Sequence, residues 1–167
     1  MERWRRIDTA SSEEARELLR TCCGAERWVT AMLAQRPFDT AVEALAAARD
    51  GWFRLEPDDW LEAFGHHPRI GDRDAMRARF ASTRTLSERE QAGVNTASDD
   101  VLTALMEGNR EYDARFGFIF LVCASGKSAD EMLALLRARL TNDPATELRI
   151  AAEEHAKICE LRLLGSV

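Results

Sequence analysis

Apolar positions along this chain recur at spacings of three and four, the period that gives a helix one buried face. Ser11-x-x-Glu14 is a capping-box signature, and Gly24 stands where a glycine would close the helix it opens. Trp28, Met32 and Leu33 hold helical register until Arg36-Pro37-Phe38 interrupts it. Asp39 can cap the next helix, whose buried stripe reads Val42, Leu45 and Ala46. Pro57-Asp58-Asp59 opens a short helix carrying Trp60, Leu61 and Phe64. A turn follows over residues 65–72, and residues 72–80 read as weakly helical.

The second half continues in the same style. Ser87-x-x-Glu90 is a further capping box, opening a helix that fades near Thr96, and Ser98-Asp99-Asp100 caps the next, with Leu102, Leu105, Met106 and Tyr112 on one side. Residues 118–123 are apolar without helical alternation and read as one buried strand or extended segment. Ser128-x-x-Glu131 starts a helix through Leu140, and Asp143-Pro144 starts a long last one that stops at Gly165. With short loops, no repeat and nothing for a lone strand to pair with, the pattern predicts one all-α domain over residues 1–167, a bundle of about eight or nine helices.

Composition narrows the function classes. The 167 residues carry a formal charge of −6 with no basic tail, which disfavours a grip on phosphate backbones, so no nucleic-acid partner is expected. The longest uncharged apolar stretch, residues 116–124, falls far short of the ~20 residues of a membrane span, so no membrane is expected either. Charges at Glu2, Arg3, Arg5 and Arg6 occupy the place of a signal peptide's apolar region. Cys22, Cys23, Cys123 and Cys159 show no C-x-x-C spacing and read as reduced thiols packed as small apolar residues, with the cytoplasm as the expected location. Paired zinc ligands at loop spacing do not occur.

The stretch Phe64-Gly65-His66-His67-Pro68-Arg69-Ile70-Gly71-Asp72 concentrates chemistry. Imidazole is the side chain best matched to proton transfer near neutral pH, and loops on a rigid scaffold are where catalytic groups gather. The alternative is that one histidine caps the preceding helix while the other is solvated, and the loop alone leaves both readings open. A metal reading needs His66 or His67 joined by Asp72 or Asp74. Ser87, Glu90 and Gln91 satisfy a helix start, yet a helix N-terminus can also bind an anion. Arg162 lies among apolar residues near the end of the last helix, either snorkelling to a nearby glutamate or offering a guanidinium fork to a planar carbonyl or carboxylate.

Five motifs in order resemble the OHCU decarboxylases of urate degradation. They are Arg36-Pro37-Phe38; Gly65-His66-His67-Pro68-Arg69-Ile70-Gly71; Ser87-x-x-Glu90-Gln91-x-Gly93; Asn109-x-x-Tyr112-x-x-Arg115-Phe116-Gly117-Phe118-x-Phe120; and Glu154-x-x-Lys157-Ile158-x-x-x-Arg162-Leu163. Arg115 stands where the family more often has Lys. The resemblance implies an all-helical homodimer that decarboxylates 2-oxo-4-hydroxy-4-carboxy-5-ureidoimidazoline to (S)-allantoin and CO2 with no metal or organic cofactor. It implies His67 as the acid/base residue on a loop held by Pro68, with Glu90 catalytic and Ser87 and Gln91 contacting substrate. Backbone groups of Phe120, Leu121, Val122, Cys123 and Ala124 would line the ring, and Arg162 would hold a polar edge. His66 carries no implied role. Two other readings compete: a metal-dependent hydrolase using His66 and His67, and a non-catalytic helical interaction domain, in which His67, Glu90 and Arg162 would not converge.

Overall fold

The computed structural model describes residues 2–68 and 95–167, with the backbone alone over 95–98. Among the described residues there are eight helices and no strand, in line with the all-α reading: α1 (Arg3–Thr9), α2 (Ser12–Cys22), α3 (Glu26–Gln35), α4 (Ala41–Phe53), α5 (Pro57–Gly65), α6 (Asn95–Phe116), α7 (Ala129–Arg139) and α8 (Pro144–Leu164). None is long and apolar enough to cross a membrane. The helix expected over 72–80 and the start at Ser87 and Glu90 lie outside the described residues. The chain forms two compact units, residues 1–67 with 150–167 and residues 68–149.

In the first unit, α2 begins as its sequence demands: Ser11 accepts from the Glu14 N–H while the Glu14 carboxylate takes the Ser11 N–H, which satisfies two orphan donors at once. The preceding helix α1, which periodicity alone does not announce, buries Trp4 and Ile7. Arg36 then explains the first motif. Its guanidinium donates to the carbonyls of Ile7 at 2.6 Å and Ala10 at 3.2 Å, completing the C-terminal end of α1. The Phe38 N–H meets Asp8 Oδ2 at 3.0 Å, and the Phe38 ring is buried.

Helix α4 turns a different face inward from the one its larger apolar residues suggest. Its cap is Thr40, not Asp39, and the buried stripe is Ala44, Ala48 and Trp52, leaving Val42 76% exposed. The reason is steric and polar together: α3 packs on α4, and Trp28 Nε1 donates to the Ala48 carbonyl at 2.9 Å beside small side chains. Each buried indole N–H of Trp52 and Trp60 likewise reaches a carbonyl, of Ala152 at 2.9 Å and of Trp52 at 3.0 Å. Helix α5 follows Pro57 at its first turn and buries Trp60 and Phe64 while Leu61 stays 41% exposed.

In the second unit, α6 runs unbroken through Ser98-Asp99-Asp100, so no helix begins there. An N-cap signature inside a longer helical run is overridden when the residues before it are also helical. Leu102, Leu105 and Tyr112 form the buried stripe. Gly108 faces α7, where a Cβ would fall 2.5 Å from Leu136 Cδ2, so the missing side chain is what seats the fully buried Leu136. Gly117, at φ 80°, ends α6 in the left-handed conformation. Beyond it residues 118–124 carry neither helix nor strand pairing, and Phe118, Leu121 and Val122 are buried.

Candidate active site

Helix α5 delivers the histidine pair. His66 is its C-cap residue, and the N–H of His67 reaches the Phe64 carbonyl at 3.2 Å, so the chain turns out of the helix with both imidazoles at its end. The His66 ring lies against Gly24, where a Cβ would sit 2.4 Å from His66 Cγ. Gly24 is therefore needed for close approach, not for a left-handed helix end: α2 ends on Cys23 in extended conformation.

His67 is half-buried, and its ring meets His155 edge-on at 5.1 Å and 81°. His155 is wholly buried, stacked on Trp52 at 4.3 Å and 19°, with Phe64 at 5.9 Å. Its Nδ1 lies 3.4 Å from Cys159 Sγ, and that thiol donates to the Cys22 carbonyl at 3.1 Å. Since the thiol proton is used on Cys22, we assign Nδ1 as the protonated nitrogen donating to sulfur. His155, Cys159 and Arg162 are spaced four and three apart, one stripe of α8, and Arg162 also donates to the Cys22 carbonyl, at 3.0 Å. One carbonyl at the end of α2 thus receives both the thiol and the guanidinium.

Burial holds the His155 imidazole well below its ordinary protonation range, and the charges of His67 and Arg162 push the same way. His67 and Arg162, distant in sequence, therefore act on one buried ring within this unit. The pH consequence has a definite sign. A base whose folded pKa is depressed contributes stability above its unfolded pKa, ~6.5, and loses it as pH falls below that value, by at most about 1.4 kcal/mol per pH unit for one proton. Chemical denaturation from pH 8 to 5 is expected to show this fall, and His155→Gln to flatten it; an equal slope in both proteins would contradict the assignment.

The second unit carries the other implied lining segment. Arg139 donates to the Leu121 carbonyl, its guanidinium lies 4.6 Å from the Phe120 ring centre, and Lys127 Nζ reaches the Cys123 carbonyl at 2.9 Å. Arg139 is itself paired with Glu147 at 2.6 Å, and Glu147 accepts from Tyr112 and, at 3.0 Å, from Asn142. Burial and the Glu147 carboxylate raise the Tyr112 phenol far above its usual range, so it remains a donor. The fourth motif thus supplies, through Tyr112 and Phe120, much of this buried network.

Of the residues singled out in the sequence, His67 and Arg162 share the surroundings of His155, while Phe120 to Ala124 lie in the second unit. Pro68 is exposed and follows His67 directly. Ser87, Glu90 and Gln91, and with them Asp72 and Asp74 of the metal reading, lie outside the described residues. Sequence reasoning passed over His155, Cys23 and Cys159 as a group, and over Arg139 and Glu147. The His155-x-x-x-Cys159-x-x-Arg162 stripe was the available signal for the first of these; Glu147 and Arg139 flank a helix-to-helix turn and carry none.

Among the described residues eight helices define an all-α protein, with a histidine pair at the end of α5 and the Arg162 guanidinium of α8 beside one buried imidazole. A family model described as OHCU decarboxylase matches residues 8–164, and the chain belongs to that family. A uric acid degradation bifunctional protein of Arabidopsis thaliana is 42% identical over 147 residues, 86% of this chain and 44% of that protein. The 2-oxo-4-hydroxy-4-carboxy-5-ureidoimidazoline decarboxylase of Amia calva is 37% identical over 97 residues, 58% of this chain and 55% of that protein. The chain thus spans about half the length of these two relatives. A crystal structure described as OHCU decarboxylase in the presence of (S)-allantoin superposes with a TM-score of 0.71 at 37% identity, covering 94% of this chain and 98% of that one.

Proposed function

We propose that this chain decarboxylates 2-oxo-4-hydroxy-4-carboxy-5-ureidoimidazoline to (S)-allantoin and CO2, the last step of urate conversion to allantoin, as one domain over residues 1–167 in a cytoplasmic homodimer. The observation that carries this reading is the convergence of His67 and Arg162 on buried His155, in a chain whose family match runs from residue 8 to 164. A purely structural His-Pro loop gives no reason for that convergence.

The chemistry needs little apparatus. The carboxylate leaves from a carbon next to a C=N bond, and the electron pair of the broken C–C bond passes into that nitrogen. No cofactor sink is required by this flow. What the protein supplies is a held ring, donors where charge develops and a poorly solvated carboxylate. His67 acts at the 4-hydroxyl while Glu90 steers the carboxylate and manages the proton, one face of the neighbouring carbon being protonated. Ser87 and Gln91 contact the substrate, the backbone of Phe120, Leu121, Val122, Cys123 and Ala124 lines its ring, and Arg162 takes a polar edge.

Freshly generated substrate followed by circular dichroism tests the proposal. Rapid appearance of one allantoin enantiomer is the expected result, and slow, optically inactive product at the rate of the protein-free control overturns it. Arg162→Lys keeps the charge but loses the planar fork, so KM is expected to rise about tenfold, the scale of one charge-assisted hydrogen bond. An unchanged KM would remove Arg162 from substrate recognition.

A further inference from the structure

Three soft or borderline donors meet in the interior of the first unit without any role in the proposed reaction. Cys23, His155 and Cys159 are all buried, and one donor atom from each lies within 4.8 Å of the others. Two come from one face of α8, four residues apart, the spacing that lets a helix present two ligands side by side. The third comes from the residue that ends α2. We propose that Cys23, His155 and Cys159 form a binding site for a thiophilic d10 cation of the zinc class, with two thiolates and one imidazole as ligands.

The dimensions suit such an ion. With metal–sulfur bonds of about 2.3 Å and metal–nitrogen bonds of about 2.0–2.1 Å, a tetrahedral edge between sulfur and nitrogen is about 3.6 Å long. The observed Nδ1 to Sγ separation is 3.4 Å. Soft thiolate ligands select zinc, cadmium or copper(I) over magnesium or calcium, and all three donors here lack the oxygen character that hard cations require. Charge balances as well: the divalent cation enters, each thiol releases one proton, the imidazole proton passes from Nδ1 to Nε2 so that Nδ1 can bind the ion, and the bound dithiolate complex is neutral. Burying a neutral complex avoids the large cost of an isolated buried charge. His155 meets half-buried His67 edge-on at 5.1 Å, and Arg162 is half-buried too. The site differs from a hydrolase centre built on the exposed histidine loop, because neither His66 nor His67 is a ligand.

The test uses the whole chain, reduced, stripped with a chelator and then titrated with Cd2+ alone. A sulfur-to-cadmium charge-transfer band in the ultraviolet is expected to saturate at one equivalent. Cys23→Ser and Cys159→Ser are each expected to weaken binding at least tenfold, and Cys123→Ser to leave it unchanged. Absence of the band in the unsubstituted protein, its persistence in Cys159→Ser, or its loss in Cys123→Ser overturns the site. A second readout needs no variant. Relative to the metal-free protein, bound Cd2+ should slow alkylation of two of the four thiols in mild denaturant, where buried thiols become reachable, mapped by mass to Cys23 and Cys159. Protection of another pair, or of none, is equally fatal to the proposal.

Discussion

His67→Asn is expected to lower kcat for decarboxylation by about 10²–10⁴-fold, the usual worth of a positioned general acid or base, while the helical circular dichroism stays unchanged. The fold should tolerate the change because His67 is half-buried at the end of α5, and its backbone N–H, not its ring, makes the bond to the Phe64 carbonyl. Asparagine retains a planar polar group of comparable reach but cannot exchange a proton near neutral pH. The product should also be informative. If His67 assists at the 4-hydroxyl, the residual turnover follows the uncatalysed path and optical purity of the allantoin falls with the rate. Activity within a fewfold of the unsubstituted protein would remove His67 from the mechanism and leave the family match without its central residue.

The second large effect is on stability. Glu147→Gln should destabilise the chain by about 3–5 kcal/mol, because it leaves the Arg139 guanidinium buried without its counter-charge. Glu147 is wholly buried and accepts from Tyr112, Arg139 and Asn142, so one substitution disturbs every member of the network. The logic predicts a partial rescue. Removing both charges, as in Arg139→Met with Glu147→Leu, should recover part of the loss, since no buried charge is then unpaired and only the neutral Tyr112 hydroxyl, Asn142 amide and Leu121 carbonyl lose these partners. Urea denaturation of the single and double variants measures both. A single variant within 1 kcal/mol of the unsubstituted protein, or a double variant less stable than Glu147→Gln, would show that the ion pair is not what holds this region.

These variants separate two kinds of information. Capping boxes at Ser11 and Ser128, Pro57 and Pro144 at first turns, and glycines at 117 and 165 all appear in the structure where local chemistry places them, because each acts within a few residues of itself. Faces were harder. In α4 the bulky Val42 points to water while Ala44 and Ala48 go inward, a choice made by Trp28 on another helix. Gly24 shows the same limit: its position suggests a helix end, whereas its use is to leave room for His66, forty-two residues onward.

The candidate site divides along the same line. His67 and Arg162 were legible, one from an unusual loop and the other through the ordered motifs, but nothing local says that they act on a common ring. His155 has no signal of its own beyond a stripe with Cys159 and Arg162, and Cys23 none that relates it to either.

What the chain's own pattern determined is the set of local events: an all-α architecture, most helix ends, and the motif order that places it among the OHCU decarboxylases. Which helix face turns inward, which imidazole is stripped of water, and which thiols share its surroundings were decided only by tertiary packing. Caps and turns draw their energy from neighbouring residues, whereas burial and desolvation are properties of a place that exists only once distant segments have met.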